Sequence, residues 1–187
     1  MNDEMRVCPA QHAGMLDNGL RRLIHPGDKF LSPFINKGDL ILDLGCGPGS
    51  FTNILAQLTG ETGRVIAVDL QKKMLETMET KMRMLGLFER VESHLCCNNS
   101  LMLQNYEGEA DFALAFWMIH EAPDVGNLLS EVYEALRFSG TLLCSEPVFH
   151  VSKELFKEMI GIGEEIGFSS REVEGIRFSR SILFTKN

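Results

Sequence analysis

Short apolar runs alternate with helix-like segments along most of this chain, and that alternation constrains the fold more than any other feature. Residues 40–44 (LILDL) read as a strand, entered through Lys37-Gly38-Asp39 and left through glycines. A helix follows at 50–58 with Ser50 as its N-cap. The β-branched run 64–69 (RVIAVD) reads as a second strand. Met74, Leu75, Met78, Met82 and Leu85 recur at helical spacing over 72–85, and Gly86 ends that helix. The pattern continues through strands at 91–97, 111–116 and 141–146 and helices at 125–136 and 152–166. Phe138-Ser139-Gly140 reads as a turn, Ser152 as a cap and Gly167 as a stop. Strands alternating with helices of about ten to fifteen residues imply right-handed crossovers and a mostly parallel sheet covered on both faces. The last two strand candidates, near 170–173 and at 179–185, have only the short turn Glu174-Gly175-Ile176 between them, which predicts an antiparallel hairpin at one end of the sheet.

With 187 residues, 44% of them hydrophobic, the chain suits one domain with one sizeable core. The expected organisation is a single domain over 1–187, with an N-terminal helical cap at 1–35 and an α/β core at 36–187. In the cap, Leu16, Leu20, Leu23 and Ile24 fall on one helical face beside Arg21 and Arg22. They read either as a lid over the ligand edge of the sheet or as an ordinary packing helix. No run reaches the roughly eighteen apolar residues of a membrane span, and the first residues lack the basic start and apolar stretch of a secretory signal. A cytoplasmic location with no membrane partner is therefore expected.

A net charge of −8 repels phosphate backbones, and no basic stripe is visible, which argues against nucleic acid as a partner. The five cysteines (Cys8, Cys46, Cys96, Cys97 and Cys144) form no CxxC or Cys/His cluster, so no metal site is expected. They read as reduced, mostly buried thiols, with Cys96 and Cys97 on opposite faces of a strand.

The strongest chemical signal is Asp43-Leu44-Gly45-Cys46-Gly47-Pro48-Gly49, between a strand and a helix. Glycines let the backbone turn tightly and approach a ligand closely. A dinucleotide fingerprint would need Gly or Ala where Ser50 stands, and Asp43 would repel a diphosphate. A carboxylate there suits a cofactor carrying positive charge. Asp69 ends the second strand about twenty residues further on, where a carboxylate can accept from both hydroxyls of a ribose. Its alternative role is an N-cap for the segment from Gln71. Leu70 follows and could cover one face of an adenine ring.

The segments LDLGCGPGSFT, VIAVDL and DFALAFWMIHEAPD…LLSEVYEALRFSGTLL resemble the class I S-adenosylmethionine-dependent methyltransferases, and the likeness covers about residues 35–187. The layout is similar to a branch of small, poorly assigned bacterial and archaeal members, through Cys8-Pro9, the segment 18–22 and the segment 146–152. The resemblance implies a Rossmann-like three-layer sandwich. Its sheet would have seven strands in the order 3-2-1-4-5-7-6, with strand 7 antiparallel. It implies S-adenosyl-L-methionine as cofactor and S-adenosyl-L-homocysteine as product. Asp43, Gly45, Cys46 and Gly47 would surround the methionine part of the cofactor and Asp69 would hold the ribose. Asn98, where the family often has Asp, would meet the adenine amino group through its amide oxygen. Phe116 would offer its backbone near the methionine amine.

Ligands in such sheets bind beyond the carboxyl ends of the strands. His120 emerges there and is the leading candidate for a general base, because a near-neutral pKa suits proton transfer. Glu146, His150 and Cys8 are further catalytic candidates, and Trp117 and Phe149 could wall an apolar acceptor pocket. The acceptor is expected to be a small molecule. A protein or RNA methyltransferase, or a cofactor-binding regulator without turnover, stays open as an alternative, and a homodimer is one assembly the sequence allows.

Overall fold

The computed structural model describes residues 25–187. Cys8 and the helical face expected at 16–24 lie outside them. A five-residue helix, α1 (Gly27–Leu31), and a 3-10 turn at Ser32–Phe34 lead into the alternating core. The strands are β1 (Leu40–Leu44), β2 (Arg64–Asp69), β3 (Val91–Leu95), β4 (Ala110–Phe116), β5 (Leu136–Pro147), β6 (Phe168–Glu172) and β7 (Ser179–Lys186). The helices between them are α2 (Thr52–Thr59), α3 (Lys72–Met84), α4 (Val125–Ala135) and α5 (Lys153–Ile166). The sheet order is β3-β2-β1-β4-β5-β7-β6, with β7 antiparallel to both neighbours, as expected.

Burial explains why the central strands read as continuous apolar runs. Ile41, Val65, Ala67, Phe112, Leu114 and Leu143 face α1, α2 and α3 through Leu31, Leu55, Ala56, Leu75 and Met78. The alternate residues Leu42, Leu44, Ile66, Val68, Ala113 and Leu142 face α4 and α5 through Leu128, Leu129, Val132, Phe156 and Met159. Successive residues of a strand point to opposite faces, so both layers are filled from the same short runs. The chain order reverses between β1 and β4, and the crevice at that switch point opens at the carboxyl ends of the strands.

Four local expectations are corrected. Ser50 does not cap α2, which starts at Thr52 after an N-cap at Phe51 with no side-chain capping hydrogen bond. The loop needs those extra residues to complete its turns, and Thr52 bonds back to Asp43 instead. Cys96 and Cys97 lie beyond the end of β3, where a bridge between Cys97 and Ser100 turns the chain. The thiols are also less uniformly hidden than expected: Cys46 and Cys144 are buried, Cys96 is half-buried and Cys97 is exposed. Finally, Leu136 opens β5 rather than ending α4, and Phe138-Ser139-Gly140 sits inside that strand. Those turn-forming residues make an irregularity, with Ser139 at φ +63° and a register break opposite Ala110 and Phe112. Ser152 does cap α5, its hydroxyl accepting from the Leu155 N–H, and Gly167 ends it.

Candidate active site

One cavity of about 860 Å³ occupies the crevice and is lined by the ends of β1, β2, β4 and β5 and by the loops after them. Its first half is built on the glycine loop. The Cys46 N–H donates to the Val68 carbonyl at 3.0 Å, which ties the loop to β2. Gly47 and Gly49 hold φ of +54° and +82°, in the left-handed region that favours glycine. A Cβ on Gly49 would stand 2.7 Å from Met78 Cγ, so that glycine lets α3 approach. A Cβ on Gly47 would meet no atom of the described residues within 4 Å, because that face of the loop opens into the cavity.

Asp69 fixes the loop from the side. Its Oδ2 accepts from the Gly47 N–H at 2.9 Å and its Oδ1 from the Gln71 N–H at 2.8 Å. Burial pushes its pKa up, and the amide hydrogen bonds oppose that rise. The Leu70 amide also bonds to this carboxylate, which lines the cavity wall. Asp43 is buried, and its Oδ2 accepts from the Thr52 hydroxyl at 2.6 Å. Burial drives the Cys46 thiol well above its ordinary value, so it stays protonated; its Sγ lies 3.5 Å from the Gly47 carbonyl oxygen, to which it donates. Leu70, Cys96, Cys97, Asn98, Leu101 and Leu128 line the far end of this half.

The second half is aromatic and titratable. Phe116 ends β4, and Trp117 follows at φ +58° with its N–H donating to the Ser145 carbonyl at 2.7 Å. A 3-10 turn at Ile119–Glu121 then presents His120. Glu146, 1% exposed near the end of β5, accepts from the Ile119 N–H at 2.9 Å through Oε1 and is hydrogen-bonded through Oε2 to His120 Nδ1. β4 and β5 are parallel neighbours with Phe116 opposite Ser145, and this register brings together two residues that lie 26 apart in sequence. Burial alone would lower the His120 pKa. The hydrogen bond and charge of Glu146, with the charge of Glu121, outweigh it and leave the pKa raised above 6.5. The ring is thus held by Nδ1, and Nε2 is the nitrogen left to act.

Of the sequence-derived candidates, Asp43, Gly45, Cys46, Gly47, Asp69, Leu70, Asn98, Phe116, His120 and His150 all line this cavity. Glu146 stands behind His120 rather than in the wall. Asp69 does not cap α3: the N-cap is Gln71, whose side chain makes no capping hydrogen bond, and Asp69 holds the Gln71 amide. Sequence reasoning missed Thr52, Ser145 and Ser179. Thr52 carried a faint signal, a polar residue on the inward face of a helix nine residues after Asp43. Ser145 and Ser179 carried none, because their roles exist only across strand pairs.

A methyltransferase-domain family model matches residues 35–171. A demethylmenaquinone methyltransferase of Oceanobacillus iheyensis is 29% identical over 112 residues, which is 60% of this chain and 46% of that protein. A ubiquinone/menaquinone biosynthesis C-methyltransferase of Haemophilus ducreyi is 28% identical over 125 residues, 65% of this chain and 48% of that protein. The chain therefore spans about half the length of these relatives. In three dimensions it is similar to a SAM-dependent methyltransferase of Aquifex aeolicus, with a TM-score of 0.86 at 24% identity over 97% of this chain and 100% of the other.

Proposed function

Because the chain belongs to the class I S-adenosylmethionine-dependent methyltransferase family, we propose that it methylates a small-molecule acceptor whose proton is taken by His120. The observation that carries this reading is the His120–Glu146 pair, set into the same cavity as the glycine loop and Asp69.

The residues present fit the cofactor. Gly47 leaves open space where any side chain would intrude. Asp43 puts a carboxylate behind the loop, suited to a cationic ligand, and the Asp69 carboxylate in the cavity wall suits a ribose diol. Leu70 and Asn98 would take the adenine, Gly45 and Cys46 the methionine chain, and Phe116 its amine through the backbone. When bound, S-adenosylmethionine supplies a methyl group on a sulfonium that leaves as a neutral thioether once an acceptor's electron pair takes the methyl.

The chain's own work is then alignment, exclusion of water and removal of one proton. Glu146 holds the ring so that Nδ1 carries its proton and the Nε2 lone pair is free to accept one. It also stabilises the imidazolium that results. His150, edge-on to His120 at 5.7 Å and exposed, stands where the proton can pass to solvent. The quinone-related names of the two relatives support a small-molecule acceptor, as does the net charge of −8, which disfavours nucleic acid.

The test is methyl transfer to a broad acceptor panel, with His120→Ala measured alongside. We expect turnover to fall by about 10²–10⁴, the usual contribution of a general base, with calorimetric cofactor affinity nearly intact. Full turnover in His120→Ala would remove its role. Cofactor binding with no acceptor methylated would favour a regulator instead.

A further inference from the structure

Four rings of the cavity wall stand edge to face in an unbroken series. Trp117 meets Phe149 at 5.5 Å between centroids and 84° between planes. Phe149 meets His150 at 5.1 Å and 86°, and His150 meets His120 at 5.7 Å and 82°. Near-perpendicular pairs are the arrangement that ring quadrupoles favour. Both ends of the series are pinned. At one end, buried Glu146 holds His120. At the other, the Trp117 indole N–H donates to the Ser179 hydroxyl at 2.9 Å, and its backbone donates to Ser145. Trp117 keeps a left-handed φ that a bulky residue rarely adopts, and such strain persists where the surroundings enforce it and function uses it. Phe149, between the pinned ends, is 62% exposed. The collar therefore offers fixed π surfaces next to a base, with an open aromatic at its rim.

We infer that this collar is the acceptor subsite and that the acceptor is a flat, hydroxylated aromatic ring. It seats against Trp117 and Phe149 with its hydroxyl directed to His120 Nε2. The inference rests on the methyl-transfer reading, and it adds the substrate class. An aliphatic alcohol presents the same hydroxyl to His120 but offers the rings neither a π face nor a polarised edge. Trp117 and Phe149 are thus specificity-determining residues, and the orientation of Trp117 by Ser179 is part of the same device.

Trp117 is the single tryptophan of the chain, so its emission reports this subsite alone. The full chain, with S-adenosylhomocysteine present, is titrated with para-nitrophenol and separately with cyclohexanol, followed by calorimetry and by Trp117 fluorescence. We expect para-nitrophenol to quench the emission and to bind at least about tenfold more tightly than cyclohexanol. The bound phenol should shift toward its visible-absorbing phenolate, a shift that His120→Ala removes. Phe149→Ala, at an exposed position, should weaken para-nitrophenol by at least about fivefold, and Phe149→Tyr should restore it. Neither variant should move S-adenosylhomocysteine affinity by more than about twofold. Equal affinity for the two probes, or wild-type para-nitrophenol affinity in Phe149→Ala, overturns the aromatic subsite and leaves the cofactor assignment standing. No heat with S-adenosylhomocysteine alone overturns the methyl-transfer reading itself, and the substrate class with it.

Discussion

Replacing Glu146 by Gln separates the shape of the dyad from its chemistry. The amide keeps the carboxylate's outline but has one accepting oxygen and one donating NH₂. The Ile119 N–H is buried and can only donate, so the oxygen must face it. The reverse orientation would bury two donors head to head, at about 1–3 kcal/mol. The NH₂ is then left facing His120 Nδ1. The imidazole can answer by moving its proton to Nε2, which keeps the hydrogen bond but points an N–H at the acceptor where a lone pair is needed. Both hydrogen bonds of the fold survive, and the melting temperature should stay near the wild-type value. Turnover should fall by about 10²–10⁴, equivalent to roughly 3–5 kcal/mol on the barrier.

The pH dependence gives a second, independent readout. In the wild type, burial lowers the His120 pKa, but the Glu146 hydrogen bond and charge, with Glu121, leave it raised above 6.5. The activity limb assigned to His120 therefore lies on the alkaline side of an ordinary histidine. In Glu146→Gln that limb should move acidward. At neutral pH the variant would hold more neutral imidazole and still turn over more slowly. The assay is kcat across pH with an active acceptor, joined to nitrogen-15 NMR of the His120 ring. Wild-type kcat with an unmoved limb, or an Nδ1–H ring in the variant, would refute the reasoning. Linkage has a fixed sign here. A raised imidazole pKa adds stability that is fully present below about pH 6.5 and is lost as pH rises through the folded-state value. The melting gap between wild type and His120→Ala should accordingly narrow as pH rises.

Four further substitutions probe the loop and the core. Asp69→Ala removes the acceptor for the Gly47 and Gln71 amides and for a ribose, and should weaken cofactor binding at least about tenfold, or 1.4 kcal/mol. An unchanged calorimetric Kd would cancel the ribose assignment. Gly47→Ala and Gly49→Ala both force a side chain into left-handed backbone, at about 1–2 kcal/mol. Gly47→Ala should stop there and mainly lower cofactor affinity, since its methyl enters open cavity, whereas Gly49→Ala adds a clash with Met78 worth about 1–3 kcal/mol more. Equal losses of stability on denaturant titration would contradict that distinction. Gly163→Ala would favour an isolated helix by about 1 kcal/mol, but its Cβ would stand 2.6 Å from the buried Phe184 ring, so α5 should be destabilised by about 1–3 kcal/mol net. A rise in melting temperature would show that α5 can slide away from β7.

The legible parts of this protein were those written in local chemistry. The run LILDL, the glycines after it and Asp69 at the end of RVIAVD each carry their meaning within about six residues, because strand burial, loop turns and helix starts are short-range. The same locality misled at Phe138-Ser139-Gly140, whose composition fits a turn. Pairing with β4 at Leu136 before this segment and at Thr141 after it kept the segment inside β5 and absorbed the extra residues as an irregularity. Ser50 misled in a similar way: it is a good capping residue, but the loop had not finished turning when the chain reached it.

By itself the amino-acid sequence determined the alternation, and with it the two filled faces of a mostly parallel sheet and the glycine loop at its switch point. It also supplied His120, Glu146, His150, Trp117 and Phe149 as separate candidates. Only the tertiary structure decided that Glu146 is a buried acceptor gripping one nitrogen of His120, that Ser179 orients Trp117, and that four rings stand edge to face in one series along the cavity wall. Those relations depend on the register between β4 and β5 and on the antiparallel return of β7. Register is set by how whole strands bury their apolar faces together, a property of paired elements that no single segment encodes.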